Sequence, residues 1–299
     1  MQRLAPDTYL HIRRAHAYQI ALKELFEGHN PAERRIWQTV SLSPDKNIPA
    51  QAKGVREYLG ITLERQTAWK SDEQALKEWR KSIEDCGVFV FKSAFKQKDV
   101  SGFCLMDEHL PIIYLNNSTT KTRQIFSLMH ELAHLLFHIN GLSKFDKSYI
   151  EQLPTREKEI EQFCNAIAAE VLIPGDDFAI QSRRFPDDVE KALESQFSTL
   201  AGRYGVSREA ILRRFLDQGR VSKAFYESKA KFWAAQKKQE GGGNWYLNQG
   251  TYISDRFAKE VVSRHYKHQI SLEQAADYLG IKPKNYAGFE ERILQGADA

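Results

Sequence analysis

The segment 124–138 constrains the fold of this chain most, because it contains the motif HELAH at positions 130–134. On an α-helix, residues four apart lie about 40° apart around the axis and one turn apart along it. His130 and His134 can therefore aim both imidazoles at one point, and two nitrogens at that spacing suit a tetrahedral zinc ion. Glu131 is rotated by about 100° from His130, so its carboxylate lies beside the ion and can take a proton from an activated water.

The residues around the motif favour a buried helix. Positions 120–138 contain no Gly or Pro, and Asn117, Ser118 and Thr119 offer side-chain oxygens for an N-cap. Apolar residues recur at helical spacing at Ile125, Leu128, Met129, Leu132, Leu135 and Leu136. The polar groups of a buried helix need partners. Hydrogen bonds inside a core would supply them, and so would a metal ion, which this motif favours.

A catalytic zinc ion usually has three protein ligands and one open position. His138 lies one further turn along the same helix, about 6 Å from His134 along the axis. One straight helix cannot easily place three ligands around one ion, so we expect His138 to support or cap the helix. The third ligand is then expected from another element.

A second predicted helix, residues 155–173, carries the best candidate, Glu161. Glu161 shares an apolar stripe with Cys164 and Ala168, and a carboxylate on a core-facing stripe needs a cation. Zinc would supply that cation, and an Arg or Lys side chain is the alternative. Three other glutamates remain on this helix, namely Glu157, Glu159 and Glu170.

Their positions around the predicted helix separate these glutamates. Glu157 lies one turn before Glu161 on the same side and is the second candidate for the third ligand. Glu159 lies about 160° and Glu170 about 180° around the axis from Glu161, and we expect Glu170 to face water.

Three short segments before the motif helix are rich in β-branched and aromatic residues, and they lie at 87–91, 102–105 and 111–116. Separated by polar turns, they predict three strands, the last leading directly into the motif helix. A sheet edge beside a metal site can hold an extended peptide as an additional strand. Residues 140–154 are expected to form a loop.

At this point the residues carry a resemblance. The runs RQIFSLMHELAHLLFH, ending at His138, and EQFCNAIAAEVLIP, ending at Pro174, resemble the ImmA/IrrE family of metallopeptidases. The positions that fall on the pattern of that family are Asn116, His130, Glu131, His134, Glu161, Asn165 and Pro174. Cys164 and Ile167 stand where the family usually has Ala and Phe, and both are apolar replacements. The resemblance covers about residues 70–220, and it implies a zincin-like fold with Glu161 as the third zinc ligand.

The resemblance also implies a class of substrate. Members of this family typically cleave a transcriptional repressor with a helix-turn-helix, which relieves repression in mobile elements, in phage defence or under stress. Many members carry an N-terminal helix-turn-helix of their own, which residues 1–70 do not clearly show.

These patterns together predict an α+β chain with mainly helical extensions at both ends. Residues 1–70 form an N-terminal helical region, 71–220 a zincin-like metallopeptidase domain, and 221–299 a C-terminal helical module. A linker is expected near 240–244, where three glycines follow one another. The metallopeptidase domain is expected to contain a small sheet, the motif helix and the helix that bears Glu161.

Two segments have a helix-turn-helix texture, 200–215 and 271–281. Single- or double-stranded DNA is therefore one expected partner or trigger, and packing within the protein is the alternative for both segments. Aromatic and basic residues in 244–299 could stack on single-stranded nucleic acid, or contact a protein.

Composition limits the compartment. The three cysteines, Cys86, Cys104 and Cys164, form no CxxC pair, which favours a reducing cytosol over a disulfide framework. No run reaches the roughly 18 apolar residues that a membrane span needs. A net charge of +4 does not by itself indicate nucleic acid. We therefore expect a soluble cytoplasmic protein with no membrane partner.

The sequence thus predicts a zinc-dependent endopeptidase with His130, His134 and Glu161 as ligands and Glu131 as the general base. Its expected partner is a protein substrate. Tyr114 and Tyr149 are the candidates for a second stabiliser of the developing oxyanion. Two other classes stay open: a regulatory DNA- or partner-binding protein with a structural or silent zinc site, and a toxin–antitoxin component triggered through its C-terminal module.

Overall fold

A small sheet lies between two helical layers and leads directly into the motif helix. The computed structural model describes residues 4–97, 99–139, 141–144, 153–236 and 253–295. Four strands form the sheet, and they are β1 (Phe89–Ser93), β2 (Val100–Leu105), β3 (Ile112–Asn116) and β4 (Gly141–Lys144). Their order is β1-β3-β2-β4, with β1 parallel to β3 and β2 antiparallel to both of its neighbours.

The first three strands confirm the predicted α+β architecture to within two residues at each end. The predicted loop at 140–154 is wrong at 141–144, because these four residues pair with β2. Their pairing partner lies far away in sequence, so their local composition does not announce a strand. Tyr149 and the predicted linker at 240–244 lie outside the described residues.

Helices account for most of the remaining described residues. Those before the motif helix are α1 (Pro6–Leu25), α2 (Ile36–Thr39), α3 (Ile48–Leu59), α4 (Leu63–Thr67) and α5 (Asp72–Asp85). The motif helix is α6 (Lys121–Leu136), followed by α7 (Thr155–Leu172), α8 (Gly175–Gln181), α9 (Glu194–Tyr204), α10 (Arg208–Asp217) and α11 (Lys223–Gln236). The C-terminal helices are α12 (Asp255–Tyr266), α13 (Leu272–Leu279) and α14 (Tyr286–Gln295). Short 3₁₀ turns lie at Ser182–Arg184, Val189–Lys191 and Pro283–Asn285.

Local chemistry sets the bounds of α6. Thr120 is its N-cap, and its side-chain oxygen accepts the N–H of Arg123 at 3.4 Å, so the cap lies one residue after the predicted trio. Asn116, fully buried at the end of β3, donates to the carbonyl of Val100 at 2.8 Å and accepts from the N–H of Phe95 at 3.1 Å. This amide therefore joins the end of β3 to the start of β2 and to the segment that follows β1.

The alternation of side chains along the strands divides the core into two layers. Val90 and Ile113 face α5, α6 and α7, while Phe91, Phe103 and Tyr114 face α1 and the C-terminal helices. The sheet is therefore buried on both faces, and the second layer joins the first and last described helices of the chain.

The predicted division into 1–70, 71–220 and 221–299 stays a prediction. The packing adds that α1 shares its core with α12–α14, whereas α3 shares the core of α5–α7. Among the residues that the structure describes, no helix combines the length and the apolar content that crossing a bilayer requires.

Candidate metal centre

Three candidate side chains meet where α6 crosses α7. His130 and His134 are almost fully buried on α6, with 3% and 1% of their surface exposed. Glu161 projects from α7 with 12% of its side chain exposed. The one-turn spacing on α6 therefore brings the two imidazoles together as predicted, and the crossing helix supplies the carboxylate.

The distances in this cluster fit a metal ion. The Nε2 atoms of His130 and His134 lie 2.9 Å apart. Each also lies 3.2 Å from a different carboxylate oxygen of Glu161. Atoms bound at about 2.0–2.2 Å to a tetrahedral ion lie about 3.3 Å from one another. These three side chains could therefore hold an ion with little rearrangement.

The electrostatics of the cluster favour a cation. Burial tends to raise the pKa of Glu161, but its hydrogen bonds to His130 and His134 outweigh burial and lower that pKa to about 2. For His134, burial tends to lower the pKa, but its hydrogen bonds with Cys164 and Glu161 outweigh burial and raise that pKa to about 11. The site thus stabilises positive charge, which either a proton or a metal ion supplies.

Glu131 lies beside the cluster and is fully buried. Its Oε2 atom lies near Gly141 at the start of β4, at 3.1 Å from the point that a Cβ on Gly141 would occupy. The thiol of Cys104 on β2 also lies close to Glu131, and burial and then the Glu131 carboxylate raise the pKa of that thiol. A buried carboxylate next to a mononuclear metal site can accept and return a proton.

Two buried thiols adjoin the site, which the sequence pattern did not predict. Cys164 contacts His134, and Cys104 contacts Glu131. All three cysteines are buried and unbridged, in keeping with the absence of a CxxC pair. The sequence could not predict that Cys164 and Cys104 adjoin the site, because they reach it only when α7 and β2 pack on α6.

Several other candidates lie away from the cluster. His138 is exposed and adopts φ 58° just after α6, while the N–H of Ile139 returns to the carbonyl of His134 at 3.1 Å. This arrangement caps the helix as expected. Glu157 and Glu159 are exposed on α7, so neither joins the three side chains.

The expectation that Glu170 faces water is wrong. Only 8% of its surface is exposed, because α10 covers that end of α7 and Arg214 forms an ion pair with it. The N–H of Gly175 also donates to this carboxylate at 2.7 Å. Glu170 does lie opposite Glu161 on α7, but the far side of the helix is a second buried face.

Tyr114 cannot assist the cluster. Its ring stacks on Phe103 at 5.2 Å between centroids, in the layer formed with α1 and the C-terminal helices. Because α6 packs on the opposite face of the sheet, the strand places the tyrosine and the cluster on different sides. The suggestion that Tyr114 stabilises an oxyanion is therefore wrong.

The basic residues of the first predicted helix-turn-helix segment face acidic partners. Arg208 lies 3.4 Å from Glu194, and Arg213 lies 2.8 Å from Asp217. Ile211, Leu212 and Phe215 of the same helix are buried in the core. The segment therefore packs as an extension of the core layer that contains α6 and α7.

The comparison with protein families agrees with this geometry. Residues 83–216 match peptidase family M78, described as an IrrE N-terminal-like domain. The match starts near the end of α5, spans the sheet, and ends in α10, so it contains the three clustered side chains and Glu131. The comparison with curated proteins gives no match.

Proposed function

We infer that this chain, whose residues 83–216 form an IrrE N-terminal-like domain of the M78 peptidase family, is a zinc-dependent endopeptidase. One observation carries the inference: the Nε2 atoms of His130 and His134 and the carboxylate of Glu161 lie 2.9–3.2 Å apart, beside a buried Glu131. Nitrogen and carboxylate donors at tetrahedral spacing are the donor set of catalytic zinc sites.

The residues of the chain divide the chemistry among them. His130, His134 and Glu161 would hold the ion, which when bound polarises the scissile carbonyl and lowers the pKa of water. The Glu131 carboxylate accepts the proton of the attacking water and then delivers it to the nitrogen of the leaving amine. Burial of Glu131 hinders loss of the accepted proton to bulk water between the two transfers.

The proposed substrate is a helix-turn-helix repressor or a similar regulatory protein. This proposal rests on the resemblance of the two motif runs to the ImmA/IrrE family, and the response it serves would be stress, mobile-element or phage-defence control. A cytoplasmic location suits the three buried, unbridged cysteines, since thiols stay reduced there.

Co-expression with a helix-turn-helix repressor found in the genome that encodes this chain tests the function. The wild-type chain should yield repressor fragments. The Glu131→Gln variant should keep its zinc but cleave about 10²–10⁴ times more slowly, because only the proton transfer is removed. The His134→Ala variant should lose both zinc and cleavage. Zinc is measured by elemental analysis and fragments by mass spectrometry.

Cleavage by Glu131→Gln at the wild-type rate would overturn the mechanism. Intact repressor in every sample, with zinc present in the wild type, would favour the regulatory class, in which the zinc site is silent.

A further inference from the structure

Strand β4 of this chain covers the edge of β2 beside the three candidate metal ligands. In the strand order β1-β3-β2-β4, removal of β4 would leave β2 as the outer strand on that side. The antiparallel register pairs Cys104 with Gly141, Phe103 with Leu142 and Gly102 with Ser143. β4 therefore satisfies the backbone groups that β2 would otherwise present to a partner.

β4 begins directly over the candidate reaction centre. A Cβ on Gly141 would lie 2.8 Å from Cγ and Cδ2 of the His134 ring and 3.1 Å from Oε2 of Glu131. The bare backbone of Gly141 thus touches both a metal-binding side chain and the proposed base. Its N–H donates to Sγ of Cys104 at 3.2 Å, which ties this residue to β2.

A peptide that is to be cleaved needs the same two positions. Its backbone must approach His134 and Glu131, and its N–H and C=O groups need partners as the chain leaves the site. The β2 edge is the neighbouring element that offers such partners, since an extended peptide can join a sheet as a further strand. β4 occupies this edge and the approach to the site together.

From this overlap we propose that β4 is a built-in pseudosubstrate strand, which blocks the peptide-binding edge and must leave β2 before a substrate binds. The inference rests on the proposed function, because it concerns access to that same site. The features of β4 suit displacement. It has four residues, and its register with β2 shifts between Val100 and Gly102, so the ladder that holds it is short and irregular.

Two proline variants test whether the pairing of β4 with β2 blocks the edge. Both introduce a proline into β4, but only one of them removes an N–H group that faces β2. The N–H of Gly141 points toward β2, and N–H groups two residues apart along a strand point the same way. The N–H of Ser143 therefore faces β2, and that of Leu142 faces outward. Ser143→Pro should release β4, whereas Leu142→Pro should leave it paired, because an edge strand tolerates proline where the N–H faces away.

The measurement compares the zinc-loaded wild type with both variants. A tripeptide hydroxamate, as a probe of the peptide-binding edge, should bind Ser143→Pro at least tenfold more tightly than it binds the wild type or Leu142→Pro. In hydrogen exchange, residues 100–105 should lose protection in Ser143→Pro alone and regain it with the probe. In the wild type, saturating probe should raise exchange at 141–144 while 100–105 stay protected, and this reading does not depend on either proline variant folding.

Equal affinity of all three proteins for the probe would overturn the proposal. So would unchanged exchange of residues 100–105 in Ser143→Pro, or unchanged exchange at 141–144 when the wild type binds the probe. Binding and exchange need no peptide-bond cleavage. A chain that behaves as expected here yet leaves every repressor intact refutes the proposed function alone, whereas equal probe affinity with active cleavage refutes only the role of β4.

Discussion

At the scale of single residues, two glutamates one turn apart on α7 have different surroundings. Glu161 lies 3.2 Å from both histidine nitrogens, while Glu157 is exposed. The sequence left both open as the third ligand, since each lies on the same side of the helix. Helix α6 crosses α7 at the turn that bears Glu161. The two histidines of α6 therefore contact Glu161 and not Glu157.

Glu161→Gln should therefore weaken zinc binding by more than about 100-fold, beyond the loss expected from removing a group that only supports a ligand. Glu157→Gln, on the exposed turn, should bind zinc like the wild type. Competition with a chromogenic chelator at pH 7.5 measures both affinities. Comparable losses in the two variants would mean that Glu161 is not a ligand.

At the scale of elements, the junction of α7, α8 and α10 depends on one buried ion pair. Arg214 binds both the Glu170 carboxylate and the carbonyl of Ile173, at the C-terminal end of α7. Orphan carbonyls at a helix end need such partners. This pair therefore joins the Glu-bearing helix to the layer behind it.

Arg214→Ala should lower the free energy of unfolding by about 3–5 kcal/mol, because it leaves the Glu170 carboxylate buried without its cation. Arg213→Ala removes the neighbouring arginine, whose side chain is 50% exposed, and should cost at most about 0.5 kcal/mol. Urea unfolding followed by circular dichroism gives both values. Equal, small losses would show that the Arg214 ion pair does not stabilise the junction.

Strand β1 contains a buried lysine, Lys92, whose lowered pKa gives a second prediction at this scale. Burial, and then the nearby charges of Arg80 and Lys121, lower the pKa of Lys92 to about 7. Between about pH 7 and pH 10 the unfolded chain holds this proton and the folded chain does not. Stability from this group therefore rises with pH across that window, and the cost of the buried charge is largest below it.

Lys92→Met should raise the free energy of unfolding at pH 6.5 by on the order of 1–3 kcal/mol, and the gain should shrink toward pH 9.5. Lys53→Met, at a side chain that is 78% exposed and is not among the charges that act on Lys92, serves as the control and should show no such trend. Urea unfolding at the two pH values measures the difference. A gain in Lys92→Met that stays constant with pH would argue against a lowered pKa.

At the scale of the whole molecule, both ends of the described chain close the far face of the sheet. Phe257 of α12 packs against Tyr18 of α1 and Phe91 of β1, with ring centroids 5.7 Å and 5.6 Å away. Each of these rings is supplied by a different part of the chain. The sheet beneath the candidate metal site therefore depends on segments far from the motif.

Phe257→Ala should destabilise the protein by about 3–5 kcal/mol through the cavity it leaves. Phe232→Ala, at a ring 53% exposed on α11, should cost less than about 1 kcal/mol. Thermal and urea unfolding measure both. If Phe257→Ala proved as mild as Phe232→Ala, the C-terminal helices would not share the core of the sheet.

The sequence by itself determined the features that depend on neighbours along the chain. The spacing of His130 and His134 places both on one helix face, and the apolar stripes predict α6, α7 and three of the strands. These are properties of local backbone geometry, which a few consecutive residues set. Docking between elements was not determined in this way.

Only the tertiary structure decided which side chains meet across elements. It selected Glu161 over Glu157, buried Glu170 against Arg214, and put Tyr114 on the opposite face of the sheet. It also paired 141–144 with β2 beside Glu131. Each outcome depends on the contact of segments distant in sequence, whose energy is set by packing and shared burial, and neither periodicity nor composition encodes which surfaces will touch.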